Sequence, residues 1–166
     1  GSIDKLPLSR LASALGIQAP SLYRHIKNKA ELVKRINEHT FALLGEVANN
    51  ILESMPDEKP LSQLLQVARG FREFAHQHPT AYMLVFSTVD TTSPPEDSPQ
   101  FGKILNLQNI VGKISGEEQS LTALRGLLAI MHGFVMLELN QQLRRGGDLN
   151  NAYEASVNAF LQGWQS

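Results

Sequence analysis

Apolar side chains recur along this chain at three- and four-residue spacing, and the places where that rhythm breaks divide it into helices. Leu8, Leu11, Ala12 and Leu15 stand at i, i+3, i+4 and i+7, one stripe on two turns of helix, and Gly16 supplies a stop. A second short helix is expected to open at Gln18-Ala19-Pro20, because proline suits a first helical turn whose N–H has no partner. It runs to about His25, with Leu22 and Ile26 turned inward. Asn28 stands as the cap of a long helix over 29–52, whose apolar positions are Leu32, Ile36, Phe41, Leu44, Val47, Ala48 and Ile51. Beyond a polar break at 56–60, helices are expected over 61–78, closed by Pro79, over 80–89, and over 101–114. The proline-rich stretch 90–100 reads as the least regular part of the chain.

The last two segments differ from these. Thirteen of the nineteen residues from Leu121 to Leu139 are apolar, too many for one face, which predicts a helix buried nearly all round. Its length would suit a membrane span, but Arg125, His132 and Glu138 oppose that reading and no membrane partner is expected. The final helix, over 149–164, is set off by Gly146-Gly147 and capped by Asp148. It carries Tyr153, Val157, Phe160, Leu161 and Trp164 on one stripe. No alternating apolar and polar run ends in a hairpin turn, so the fold class is all-α.

Composition narrows the chemistry. The 166 residues are 42% hydrophobic and 19% charged and contain no cysteine, which excludes a disulfide framework, a thiolate nucleophile and cysteine-bound metal. With no apolar leader in GSIDKLPLSR, the expected location is cytoplasmic. The formal net charge of -1 conceals a division. Residues 1–39 hold seven Lys or Arg against three acids, whereas the other 127 hold eight against thirteen. A basic head on an acidic body fits a head that meets a polyanion.

Two short helices joined by a tight turn, inside the basic segment, form a helix-turn-helix pattern. The first helix braces the second through Leu11, Ala12 and Leu15 against Leu22, and the second presents its N-terminal residues to the major groove. That leaves Gln18, Ala19, Pro20, Ser21, Tyr23, Arg24, His25 and Lys29 to touch double-stranded DNA, with Ser9 and Arg10 as further contacts from the first helix.

LSRLASALGIQAPSLYRHIKNKAELV, residues 8–33, resembles the DNA-binding signature of the TetR/AcrR family of transcriptional regulators. The resemblance rests on Leu11-Ala12, Leu15-Gly16, Leu22-Tyr23-Arg24-His25 and Lys29-Ala30-Glu31-Leu32 at their mutual spacings. It implies phosphate contacts from Tyr23 and Lys29 and base-facing positions at 18–21. The pattern departs at Pro7, where the family carries a capping Ser or Thr that Ser9 partly replaces. The family's preceding amphipathic helix is not in this sequence, so residues 1–46 read as a DNA-binding domain truncated at its N-terminus and 47–166 as the ligand-binding and dimerisation domain. Gly70-Phe71-Arg72-Glu73-Phe74-Ala75, His78-Pro79 and His132-Gly133 in the second domain are similar to the family's C-terminal type called WHG, with Met131 where its tryptophan would stand.

The resemblance implies a homodimer whose last two helices pair with their copies. Leu127, Met131, Phe134, Tyr153, Val157, Phe160, Leu161 and Trp164 offer apolar surface for that pairing. A row of mixed character on the penultimate helix, Arg125, His132 and Met136 among it, is expected to line a small-molecule effector cavity with Phe71, Phe74, Met83 and Phe101. For each of these residues an ordinary core role competes, and a histidine on so apolar a helix needs a hydrogen-bond partner in either case. Glu73 and His76 have the i, i+3 spacing of carboxylate-bridged metal sites, but such sites need two copies. No metal, no cofactor and no catalytic set is expected, so the chain reads as no enzyme. The function expected is a ligand-responsive repressor of a palindromic operator. The alternative is a helical small-molecule sensor or carrier that no longer reads DNA.

Overall fold

The computed structural model describes residues 7–87 and 97–165. The expected irregular stretch lies outside those residues over 90–96, as does the end expected for the helix over 80–89. Among the described residues there are helices and no strand: α1 (Leu8–Ala14), α2 (Ala19–His25), α3 (Lys29–Ser54), α4 (Pro60–Gln77), α5 (Pro79–Ser87), α6 (Pro99–Ser115), α7 (Ser120–Leu139) and α8 (Leu149–Gln162).

The helix starts follow local chemistry. Asn28 Oδ1 accepts from the Glu31 amide at 2.9 Å, and Glu31 Oε2 accepts from the Lys27 amide at 2.7 Å, a capping box displaced by one residue. Ser98 Oγ caps α6 by accepting from the Phe101 amide at 3.2 Å. Asp148 caps α8 as expected, accepting from the Asn150 amide at 2.9 Å. Pro60, Pro79 and Pro99 each open a helix, where the missing N–H leaves no bond unmade.

The chain divides into two compact units, the first ending at His39 and the second beginning at Thr40, so that α3 contributes to both. In the first unit α1 packs on α2. In the second, α4 contacts α5, α6, α7 and α8, and its core draws Leu52 from α3, Leu64 and Val67 from α4, Val111 from α6, and Leu127 and Val135 from α7. Tyr153 from α8 closes it, buried with its hydroxyl donating to the Ala68 carbonyl at 2.8 Å.

Three expectations about burial are corrected here. Helix α7 is not buried all round: Ser120, Leu124, Leu127, Met131 and Val135 form one buried stripe, while Leu121, Leu128 and Leu137 are 43%, 37% and 41% exposed. Although it is long and apolar enough to cross a membrane, it packs on α4, α6 and α8 along that stripe. Leu15, expected to brace α2, is 59% exposed, because α1 ends at Ala14 and the chain turns away. Phe41, one of the apolar positions read on α3, is 50% exposed.

The close passage of α7 and α8 depends on Gly126. A Cβ built there would lie 2.5 Å from Phe160 Cζ, so the ring of Phe160 occupies the space that any side chain would need.

Candidate DNA interface and sensing body

In the first unit, the turn between the two short helices is a Schellman motif. The Gly16 amide bonds to the Ser13 carbonyl at 3.1 Å and the Ile17 amide to the Ala12 carbonyl at 3.0 Å, with Gly16 at φ +67. That conformation is what glycine permits at little cost and a side chain resists. Ala12 and Leu22 are buried on either side of the turn and fix the pair. Helix α2 then starts from Gln18, with Pro20 in its first turn.

The DNA-contact residues expected from sequence fall on the outside of this unit. Ser9, Arg10, Gln18, Pro20, Tyr23, Arg24 and His25 are exposed, while Ala19, Ser21 and Lys29 are half-buried. Pro7 makes no side-chain cap for α1, as expected, and the Ser9 hydroxyl does not replace it: Ser13 Oγ donates to the Ser9 carbonyl at 3.1 Å. Lys29 departs from a simple surface contact. Its Nζ is shielded from solvent and has no hydrogen-bond partner among the described residues.

Glu31 ties the start of α3 together. It accepts from the Lys27 amide and from Arg35 Nη2 at 2.6 Å, and the amide bond first, then Arg35, hold its carboxyl below the usual carboxylate range.

In the second unit, the structure assembles part of the expected effector lining around a residue that sequence reasoning missed. Tyr82 is fully buried, and its hydroxyl meets His132 Nδ1 at 3.0 Å. Phe71 packs edge-on against Tyr82 at 5.7 Å, and Phe86 lies 4.1 Å from the His132 ring. Burial pushes the Tyr82 hydroxyl well up and the His132 imidazole down from its usual value. The partner that so apolar a helix demanded for His132 is thus found. The available signal was a tyrosine inside a short apolar helix, whose hydroxyl also had to be satisfied.

The other expected lining residues are dispersed. Phe74 is buried and packs with His78 at 4.8 Å, while Met83, Phe101 and Met136 are half-buried and make no hydrogen bond or ring contact with the cluster. Arg125 is corrected outright: it is exposed on the outer face of α7 and makes no ion pair among the described residues. A solvent-open cleft of about 450 Å³ lies elsewhere, lined by Glu138, Gln141, Leu143, Arg144 and Leu149, none of them expected.

The expected dimer contacts need a second correction. Leu127, Met131, Tyr153, Val157 and Leu161 are each 1% exposed or less, and Phe134, Phe160 and Trp164 pack against the same core. These stripes are consumed by the chain's own α4–α7–α8 packing. What α7 and α8 leave outward is the opposite sides, with Ala129 on α7 and the row Ala152, Ala155 and Ala159 on α8.

An ion-pair cluster near the C-terminal end of α7 also escaped the sequence. Arg72 Nε and Nη2 reach the two Glu138 oxygens at 2.8 and 2.5 Å, and its Nη1 donates to Asn150 Oδ1 at 2.7 Å. His76 Nε2 lies 3.0 Å from Glu138 Oε2, and the guanidinium sits 5.5 Å from the Tyr153 ring. The hydrogen bond from Arg72, above all, holds the Glu138 carboxyl below the usual range. Four side chains thereby bolt α4, α7 and α8 together. Among the described residues no group of three metal-ligating side chains occurs.

Comparison with known proteins follows the same division. A family model described as "Tetracyclin repressor-like, C-terminal domain" matches residues 64–160. Among curated proteins, the chain is 25% identical over 165 residues to the uncharacterized HTH-type transcriptional regulator YobS of Bacillus subtilis (strain 168), spanning 97% of this chain and 83% of that one. It is 24% identical over 144 residues to the uncharacterized HTH-type transcriptional regulator Rv0681 of Mycobacterium tuberculosis (strain ATCC 25618 / H37Rv), covering 82% of this chain and 62% of that protein. Among solved structures, a single-residue variant of TetR from Acinetobacter baumannii AYE, in complex with minocycline, superposes with a TM-score of 0.71 at 21% identity, covering 98% of this chain and 87% of that one. At that identity the likeness shows the fold.

Proposed function

Because this chain belongs to the tetracycline repressor-like (TetR) family of transcriptional regulators, we propose that it is a homodimeric repressor that binds a palindromic operator and releases it when a small molecule occupies the body. The observation that carries the reading is the outward-facing tip from Gln18 to His25, set by the turn at Gly16 within the only basic part of the chain. Each α2 reads few base pairs, so two of them on a two-fold axis require a two-fold site. A ligand that binds better when the two reading units stand at one spacing than at another shifts operator affinity by that difference. Such a protein works in the cytoplasm and catalyses nothing.

We further place the dimer contact on the outward sides of α7 and α8, since the inward stripes are spent. The small side chains of Ala152, Ala155 and Ala159 let a second copy approach closely.

Selection of bound duplexes from a random pool, followed by titration in rising salt, tests the DNA reading. Tyr23→Ala is expected to weaken every duplex alike and to flatten the salt dependence, whereas Gln18→Ala changes which duplex ranks first. Binding that neither substitution alters would refute the assignment. Retained small-molecule binding without any duplex binding would favour the sensor or carrier reading, to which the uncapped start of α1 at Pro7 lends some support.

A further inference from the structure

The aromatic cluster of the second unit does not close over. Phe41 of α3 and Phe86 of α5 meet edge-to-face at 5.8 Å and remain 50% and 38% exposed, while Phe86 lies at 4.1 Å, tilted by 38°, against His132, which is itself half-buried. Two exposed phenyl rings and one half-buried imidazole, drawn from three helices, thus adjoin at the surface. Such a face is unfavourable when left wet and is suited to a flat apolar partner.

The polar chemistry of the face is set from beneath. Tyr82 is 0% exposed, and His132 Nδ1 is the partner its hydroxyl has among the described residues. If Nδ1 carried the proton, Tyr82 would accept and its own O–H would be buried without an acceptor. Tyr82 therefore donates, Nδ1 accepts, and the imidazole proton sits on Nε2. Desolvation favours the neutral ring, holding the imidazole below its usual value. Nε2 has no hydrogen-bond partner among the described residues, so the face carries one unspent N–H donor.

From this geometry we infer that the Phe41–Phe86–His132 face is a binding site for a planar aromatic small molecule bearing a neutral hydrogen-bond acceptor, a ring nitrogen or a carbonyl, which takes the His132 Nε2 proton as donor. The site deepens the ligand-responsive reading above and rests on it for its biological role. Because the imidazole is uncharged, selection is for an acceptor and does not require an anion.

Quinoline and naphthalene, alike in shape and differing in one ring nitrogen, provide the test with the full chain. By calorimetry or ligand-detected NMR, quinoline is expected to bind about tenfold more tightly, the equivalent of one hydrogen bond. His132→Phe removes the donor but leaves the Tyr82 hydroxyl unpaired, so the paired variant Tyr82→Phe/His132→Phe is the safer background. In it the preference should fall to about onefold while naphthalene still binds. Phe86→Ala should weaken both probes alike. Equal binding of the two probes to the unaltered protein, a preference that survives the paired variant, or no binding of either at millimolar concentration would each overturn the site. Operator affinity at saturating quinoline reports separately: an unchanged value refutes the ligand-responsive reading and leaves the selective site standing.

Discussion

Replacing Glu138 by Gln isolates the charge in the bolt that joins α4, α7 and α8. The side chains of Arg72 and Glu138 are 18% and 10% exposed, between the surface and interior regimes. Breaking a fully buried pair costs about 3–5 kcal/mol, and an exposed pair is worth about 0–1 kcal/mol. Glutamine keeps the shape and one acceptor, and Asn150 continues to accept from Arg72, so a loss of about 2 kcal/mol is expected. The sign of the pH dependence follows from linkage. The Glu138 carboxyl is held below its ordinary value, first by Arg72 and then by His76, so its contribution is full above the unfolded-state pKa of about 4.3 and disappears as pH falls through the lower folded value. Urea unfolding followed by circular dichroism, at one protein concentration because the proposed dimer would add to stability, compares Glu138→Gln with the parent near neutrality and at the lowest pH where both fold. The gap should be about 2 kcal/mol near neutrality and shrink in acid. A gap that persists undiminished in acid, or that is below about 0.5 kcal/mol at neutrality, would show that charge is not what the cluster contributes.

Gly16→Ala should lower stability by about 1 kcal/mol and the melting temperature with it, purely through the backbone, since a Cβ at φ +67 meets nothing within 4 Å; equal melting of the two proteins would refute the turn argument. Gly126→Ala should cost about 1–3 kcal/mol by driving a methyl into the Phe160 ring, and Phe160→Leu should relieve part of that loss; independence of the two substitutions in chemical unfolding would show that the ring moves freely. Ala155→Glu on the outward row of α8 should shift the protein toward monomer in sedimentation and weaken operator binding while the helical spectrum is kept, and an unaltered dimer would place the interface elsewhere.

The helices were legible because their signals are local. Asn28, Asp148 and Pro20 act within one turn of themselves, and Gly16 was readable as a turn since only the backbone at that position is involved; Pro60, Pro79 and Pro99, read as breaks, instead open helices. The same locality made the exposed tip of α2 visible: residues 18–25 are mostly polar with an apolar anchor at Leu22, and the chain spells that out in eight letters. Tyr82 and the Arg72–Glu138 pair were not legible, as their partners stand 50 and 66 residues away.

The division between the two sources of information is sharpest on α7 and α8. Their sequence determined that each is a helix with more apolar surface than a lone helix tolerates; periodicity located the stripe of α8, while α7, apolar on too many positions, gave no single face. Which neighbour covers a stripe is a different matter. Leu127, Met131, Tyr153, Val157 and Leu161 would suit a second subunit as well as they suit α4, because hydrophobic attraction has no direction and no address. Only the tertiary packing, with Gly126 admitting Phe160 and Tyr153 reaching the Ala68 carbonyl, assigned those residues to the chain's own core and left the opposite faces exposed.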